Sequence, residues 1–242
     1  MEVHPHLQHG KRKWTEYFWE FLMLFLAVTL GFLVENIREH FIENKRAKEF
    51  AILFFNDLKN DTSYLKQISE AQLSNLNEED SLIDLLKSSR YIGNNYLFVD
   101  HFNKVATLLF FKPAFPVNFE QAKNSGSLRY FKSVELISTL SGLNRHLDET
   151  TALFQSRNDF ILQYLTPWAV QNTNTLQYDI YTRKVLSENP VVNHLNNKTV
   201  LPLINKINLT KVWGLFIVEY LKQALDKTNN TIKILRKEYN LQ

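Results

Sequence analysis

From Tyr17 to Val34 the chain reads YFWEFLMLFLAVTLGFLV, 18 residues interrupted only by Glu20 and Thr29. At about 1.5 Å per residue, a helix of that length covers roughly 27 Å, enough to cross the hydrocarbon core of a bilayer. A core helix of a water-soluble protein carries a polar stripe, and this run has none. Trp14, Tyr17 and Trp19 stand at its start, where amphipathic rings settle among headgroups. The run reads as a transmembrane helix. Lys11-Arg12-Lys13 before it has the layout of a signal peptide. No convincing small-residue cleavage site follows, and the helical pattern continues past Val34, so the segment is expected to remain as a signal-anchor.

The basic cluster ahead of the span is undiluted by acids, whereas Arg38, Lys45, Arg46 and Lys48 beyond it alternate with Glu35, Glu39, Glu43 and Glu49. That asymmetry places the N-terminus in the cytoplasm and the following domain on the other side. Glu20 has two readings. It is an interfacial carboxylate reaching back to the headgroups, or a polar contact with a partner helix inside the membrane.

The chain divides into a polar His/basic tail (1–16), the anchor (17–34), a stalk helix merging into a bundle (35–65) and a helical domain (66–242). Glycine and proline number six each, too few for the turns of a β-sandwich or barrel. No Gly or Pro falls between Gly31 and Gly93. The fold expected is all-α: one N-terminal transmembrane helix continuing into a long stalk and an irregular helical bundle. Val34, Ile37, Phe41, Asn44, Lys48, Ala51, Phe55, Leu58, Thr62 and Leu65 follow alternating spacings of three and four, an imperfect seam. The pairs Glu35/Arg38 and Glu43/Arg46 support an exposed stalk at i,i+3.

Further helices are expected from about Glu78 to Arg90, where Glu78-Glu79-Asp80 suits a helix N-terminus, and from Asp100 to Phe111. A third, short one should begin at an Asn118/Gln121 capping box. Leu136, Leu140, Leu143 and Leu147 lie at helical spacing, and Pro167 marks a kink. Residues 170–200 read as loops with short helices. Trp213, Phe216, Ile217, Tyr220, Leu221, Ala224 and Leu225 form the last apolar face.

The absence of cysteine excludes disulfides, thiolate metal sites and cysteine nucleophiles. His4, His6 and His9 have a spacing that can hold a transition metal in a mobile tail, or they form a plain polar tail. His40, His101, His146 and His194 belong to no Glu-x-x-His or H-E-x-x-H pattern. Asp57 and Asp61 share a helical face one turn apart, as a cation site or acid/base pair would, or as two carboxylates facing water. No phosphate-binding loop or nucleophile motif is present, so no catalytic residue and no cofactor is assigned. Ser125-Gly126-Ser127 reads as a turn with its glycine left-handed. Basic residues are dispersed among acids, which argues against nucleic-acid binding.

ENIREHFIENKRAKEF after the span, with DLKND at 57–61, resembles a family of uncharacterised bacterial single-span membrane proteins with a helical domain. FEQAKNSGSLR at 119–129 resembles that family's second recognisable block. The resemblance implies the architecture already read in a bacterial membrane and supplies no activity; with the charge asymmetry, the expected location is the bacterial inner membrane with a periplasmic domain. Two functions follow as expectations. One is a scaffold or accessory subunit working through a protein partner or a homo-oligomer, with Trp14, Trp19, Glu20, Glu35 and Arg38 at the membrane and assembly surface. The other is a ligand-binding sensor signalling through the stalk.

Overall fold

The computed structural model describes residues 14–173, 178–179, 184–186, 190–193 and 195–241. The histidines and basic residues expected to form the N-terminal tail, His4, His6, His9 and Lys11 to Lys13, lie outside the described residues, as does His194.

The chain is all-α. Helix α1 runs unbroken from Trp14 to Lys87, 74 residues, about 110 Å at the helical rise. Its first turns hold an 18-residue window of mean hydropathy 2.0, none of it buried by the rest of the chain. Every backbone group of that window is available for bonding within the helix, which is what hydrocarbon requires. The first α1 residue buried by the rest of the chain is Ala47.

A long helix packs along α1, and another packs on that one. Helix α4 spans Val134–Phe160, and α6 spans Asn197–Tyr239. Each carries an inward stripe at alternating spacings of three and four, the knobs-into-holes pattern of a bundle. On α4 it runs Leu136, Leu140, Leu143, Leu147, Thr150, Phe154, Arg157. On α6 it runs from Ile207 through Thr210, Gly214, Ile217 and Leu221 to Leu235. Helix α6 lies between the other two: Lys211 meets Asp80 and Arg236 lies over Phe55, so α6 runs back along α1, while α4 packs on α6 and reaches α1 through Arg157 and Glu79. The end of α6 therefore returns to the stalk.

Shorter elements close the ends. Helix α2 is Asn95–Val105, α3 is Phe115–Asn124, a 3₁₀ turn covers Ser127–Tyr130, and α5 is Thr166–Asn172. The stalk-side core is built on Phe54, whose ring lies 5.5 Å from Phe115, 6.1 Å from Phe119 and 6.0 Å from Phe131. The far core joins Leu82, Leu85 and Leu86 of α1 to Phe98 and Phe102 of α2 and to Leu203 and Ile207 of α6. Between the two apolar cores lies a polar band: Gln72, Asn75 and Glu79 of α1, Arg157 of α4 and Thr210 of α6, all buried.

Several expectations are corrected. The helix expected from Glu78 is the end of α1, because nothing between Gly31 and Gly93 breaks it. The helix expected from Asp100 to Phe111 begins earlier, at Asn95, where the Asn94 side chain accepts the Leu97 N–H. It also ends earlier. Asn158 of α4 accepts the Leu109 N–H at 3.3 Å and donates to the Leu109 carbonyl at 2.7 Å, taking the bonds a helix would need. The Asn118/Gln121 capping box does not form: α3 starts at Phe115, three residues before Asn118, with proline in its first turn and no side-chain cap from Ala114.

Gly126 is left-handed, with φ 71°. Pro167 cannot donate to the preceding turn. The helix responds with a π-turn over Ile161–Leu165, and the Thr166 hydroxyl donates to the Ile161 carbonyl at 3.2 Å. The loop region also holds a short antiparallel pair, β1 (Tyr178–Asp179) with β2 (Lys184–Val185). Phe216 is 54 % exposed, outside the buried face of α6 on which it was expected.

Candidate functional site

Three successive acids on α1 hold three different helices. Consecutive side chains on an α-helix point about 100° apart, so Glu78, Glu79 and Asp80 reach in three directions. Glu78 faces α2: its Oε2 lies 2.6 Å from His101 Nδ1, and its Oε1 is 3.2 Å from Lys104 Nζ. Lys104 also reaches Asp100 at 2.8 Å. These carboxylates hold the Lys104 ammonium above its usual range, the Asp100 hydrogen bond contributing most. Asp80 pairs with Lys211 of α6.

Glu79 faces inward. Its Oε1 accepts from Arg157 Nη2 at 3.1 Å, with both side chains fully buried. Arg157 also donates to the carbonyls of Thr107 and Val105, 3.4 and 3.5 Å away, and so caps the end of α2. Burial pushes the Glu79 carboxyl up from its ordinary range, while the Arg157 charge pulls the other way. Burial pushes Arg157 down against the same partner. Beside this pair, both polar atoms of the buried Gln72 side chain lack a hydrogen-bond partner among the described residues, as does Asn75 Nδ2. Gly214 of α6 makes room for Gln72: a Cβ there would stand 2.6 Å from Gln72 Nε2.

The Glu78–His101 pair borders a cleft of about 250 Å³ lined by Ser81, Asp84, Leu85, Arg90, Leu97 and His101. A carboxylate on one imidazole nitrogen orients the ring and sets its tautomer, the arrangement used in acid–base and ligand-binding sites. The Ser81 hydroxyl donates to the Asn77 carbonyl at 2.8 Å, within its own helix. Among the described residues no three His, Cys, Asp or Glu side chains are grouped to hold a metal ion.

Asp57 and Asp61 are placed together, but they face α3. Asp61 Oδ1 accepts the Ala114 N–H at 2.7 Å and Oδ2 the Phe115 N–H at 2.9 Å. Asp57 Oδ2 accepts from Asn118 Nδ2 at 2.6 Å. The pair holds α3 on α1, with Asp61 capping its N-terminus across 53 residues of sequence. Neither carboxylate faces water as one of the sequence readings had it; both are buried.

At the other end, Trp14, Trp19 and Glu20 lie exposed along the first turns of α1, and Trp14 stacks on Phe18 at 6.3 Å. Glu35 and Arg38 form the expected i,i+3 pair. His40 pairs with Glu43 at 3.4 Å, and His146 Nε2 lies 2.9 Å from the Tyr220 carbonyl. The role of His101 was not legible from spacing, because Glu78 lies 23 residues away. The signal that existed was the unbroken helical stretch, which puts all three acids inside α1. No family model, curated protein or solved structure matches this chain.

Proposed function

We propose that this chain is a membrane-anchored helical protein acting as a scaffold or accessory subunit through protein–protein contacts. In this reading the span sits in a bacterial inner membrane with the N-terminus cytoplasmic and the bundle periplasmic, and no catalytic step is involved. The observation that carries it is on α6. Leu209, Val212 and Phe216 lie along one outward face, flanked by Leu215, and are 51, 47, 54 and 53 % exposed for Leu209, Val212, Phe216 and Leu215 in turn. Contiguous exposed apolar side chains of this size mark interaction surfaces.

The test is to tag the chain at native expression, extract it gently and identify what co-purifies. A stoichiometric partner, or a defined homo-oligomer, is expected. It should be lost in Val212→Glu/Phe216→Glu while the melting temperature stays the same. A chain that elutes alone, or variants that keep the same partner, would overturn the reading.

A second reading, a sensor signalling through the stalk, is favoured by one observation. One wall of the Glu78–His101 cleft, with Glu78, Ser81, Asp84 and Leu85, belongs to the same unbroken helix as the apolar span. A ligand filling the cleft should raise the melting temperature, and the His101→Ala variant should abolish that rise. A small-molecule screen without any shift counts against it.

A further inference from the structure

The stalk sets the bundle's near end at a short distance from the bilayer. Arg46 lies twelve residues beyond Val34, about 18 Å along the helix. Headgroups extend roughly 5–7 Å past the hydrocarbon. The gap left for an upright helix is about 12 Å, and tilting shortens it.

Four exposed cations gather at this end: Arg46 and Lys48 from α1, Arg129 from the 3₁₀ turn and Lys132 just after it. Arg46 Nη1 donates to the Tyr130 hydroxyl at 2.7 Å, and Arg129 Nη2 donates to the same oxygen at 3.3 Å. Both guanidinium carbons lie over the Tyr130 ring, 5.5 and 5.1 Å from its centre. Together they hold the phenol below its ordinary pKa, Arg129 first.

Two like charges thus converge on one neutral acceptor, each keeping most of its five donors for another partner. None of the four cations forms an ion pair with a carboxylate among the described residues. An adjoining hollow of about 460 Å³ is lined by Asn44, Lys48, Tyr130, Lys132, Ser133 and one acid, Glu238. Paired guanidinium forks match phosphate oxygens bidentately, and clustered cations near a bilayer are drawn to acidic lipid.

We propose that this end of the bundle binds the phosphate of acidic phospholipid headgroups in the bilayer that anchors the chain, with Arg46 and Arg129 as the paired donors. The inference rests on residues 17–34 spanning that bilayer. Phosphate contact draws the bundle down onto the membrane and makes its position depend on lipid charge and on salt.

The test uses the full chain in nanodiscs of phosphatidylcholine alone, or mixed seven to three with phosphatidylglycerol. The chain has no cysteine, so Val134→Cys, at a side chain 80 % exposed, takes a single fluorophore. Quenching by a trace of headgroup spin-labelled lipid reports how close the bundle lies. Quenching should be about twofold stronger with phosphatidylglycerol and fall with salt. Arg46→Gln/Arg129→Gln should lose the difference, and Arg46→Lys/Arg129→Lys should keep part of it. If the glutamine pair fails to fold, Lys48→Gln/Lys132→Gln should weaken the same difference.

Equal quenching in both lipids overturns the proposal, as does a lipid difference that survives charge removal. A saturable response to inorganic phosphate in phosphatidylcholine discs, without any lipid difference, assigns the site to soluble phosphate and overturns it too. A chain that fails to enter either disc overturns the anchored reading itself, a separate outcome.

Discussion

Asp61 shows how one side chain can seat a whole helix. Its two oxygens take the first N–H groups of α3, which has no local cap. Asp61→Ala should cost about 1–3 kcal/mol in urea unfolding, because two buried donors lose their acceptor. Burial raises the Asp61 carboxyl above 3.8, with the two backbone N–H groups opposing. The folded value then lies above the unfolded one, so the native state holds more protons. That contribution is complete below about pH 4 and is lost as pH rises through the folded value. The stability of wild type relative to Asp61→Asn should therefore decline as pH climbs from 4. A difference that grows with pH would mean that the N–H bonds outweigh burial. At the polar band, Glu79→Ala should cost about 3–5 kcal/mol, because Arg157 is left charged and buried. Gly214→Ala should cost about 1–3 kcal/mol from overpacking, and Gln72→Ala in the same chain should relieve much of it. The Asp57/Asp61 pair was legible as two residues on one face. Its purpose was not, because its partners lie on α3, and spacing along one helix says nothing about them.

Helix α1 was legible as a long helix from the absence of breakers, but not as a single one. Glu78-Glu79-Asp80 has the composition of a helix start, and its use as a three-way tie depends on neighbours far off in sequence. The expected seam was half right. Ala51, Phe55, Leu58 and Leu65 are buried, whereas Ile37 and Phe41 are 68 and 69 % exposed. The actual inward repeat passes through Asp61, Gln72, Asn75 and Glu79. A search for apolar periodicity passes over such positions. Because Ile37 and Phe41 touch no core, Ile37→Ser/Phe41→Ser should leave the bundle's melting within about 0.5 kcal/mol of wild type. Any loss of oligomers in that variant, or in Glu20→Leu, would locate assembly on the stalk or span.

At the scale of the molecule, the all-α class was legible from few glycines and prolines, many apolar residues and helical periodicity. The partition between the apolar N-terminal stretch and the bundle follows from α1 itself: its first buried position is Ala47. Removing residues 1–34 should therefore release a water-soluble protein that melts as the full chain does. Recovery of that fragment only as aggregate would show that the span shields part of the bundle. On α6 the expected apolar face was right at Ile217, Leu221 and Ala224, which are buried, and wrong at Phe216, which points outward. The heptad positions actually inside include Thr210, Gly214 and Thr231, small or polar groups that leave little trace in a hydrophobicity pattern.

The pairing of α1 with α6 also orders events in time. The ribosome completes α1 early, whereas α6 begins at Asn197, about 110 residues later, on the order of ten seconds of synthesis. Through that interval α1 lacks its closing strut, and a chaperone has its one long opportunity to bind the bare seam. A ribosome stalled before α6 would leave a nascent chain tethered and open, a target for proteolysis that the finished protein is not.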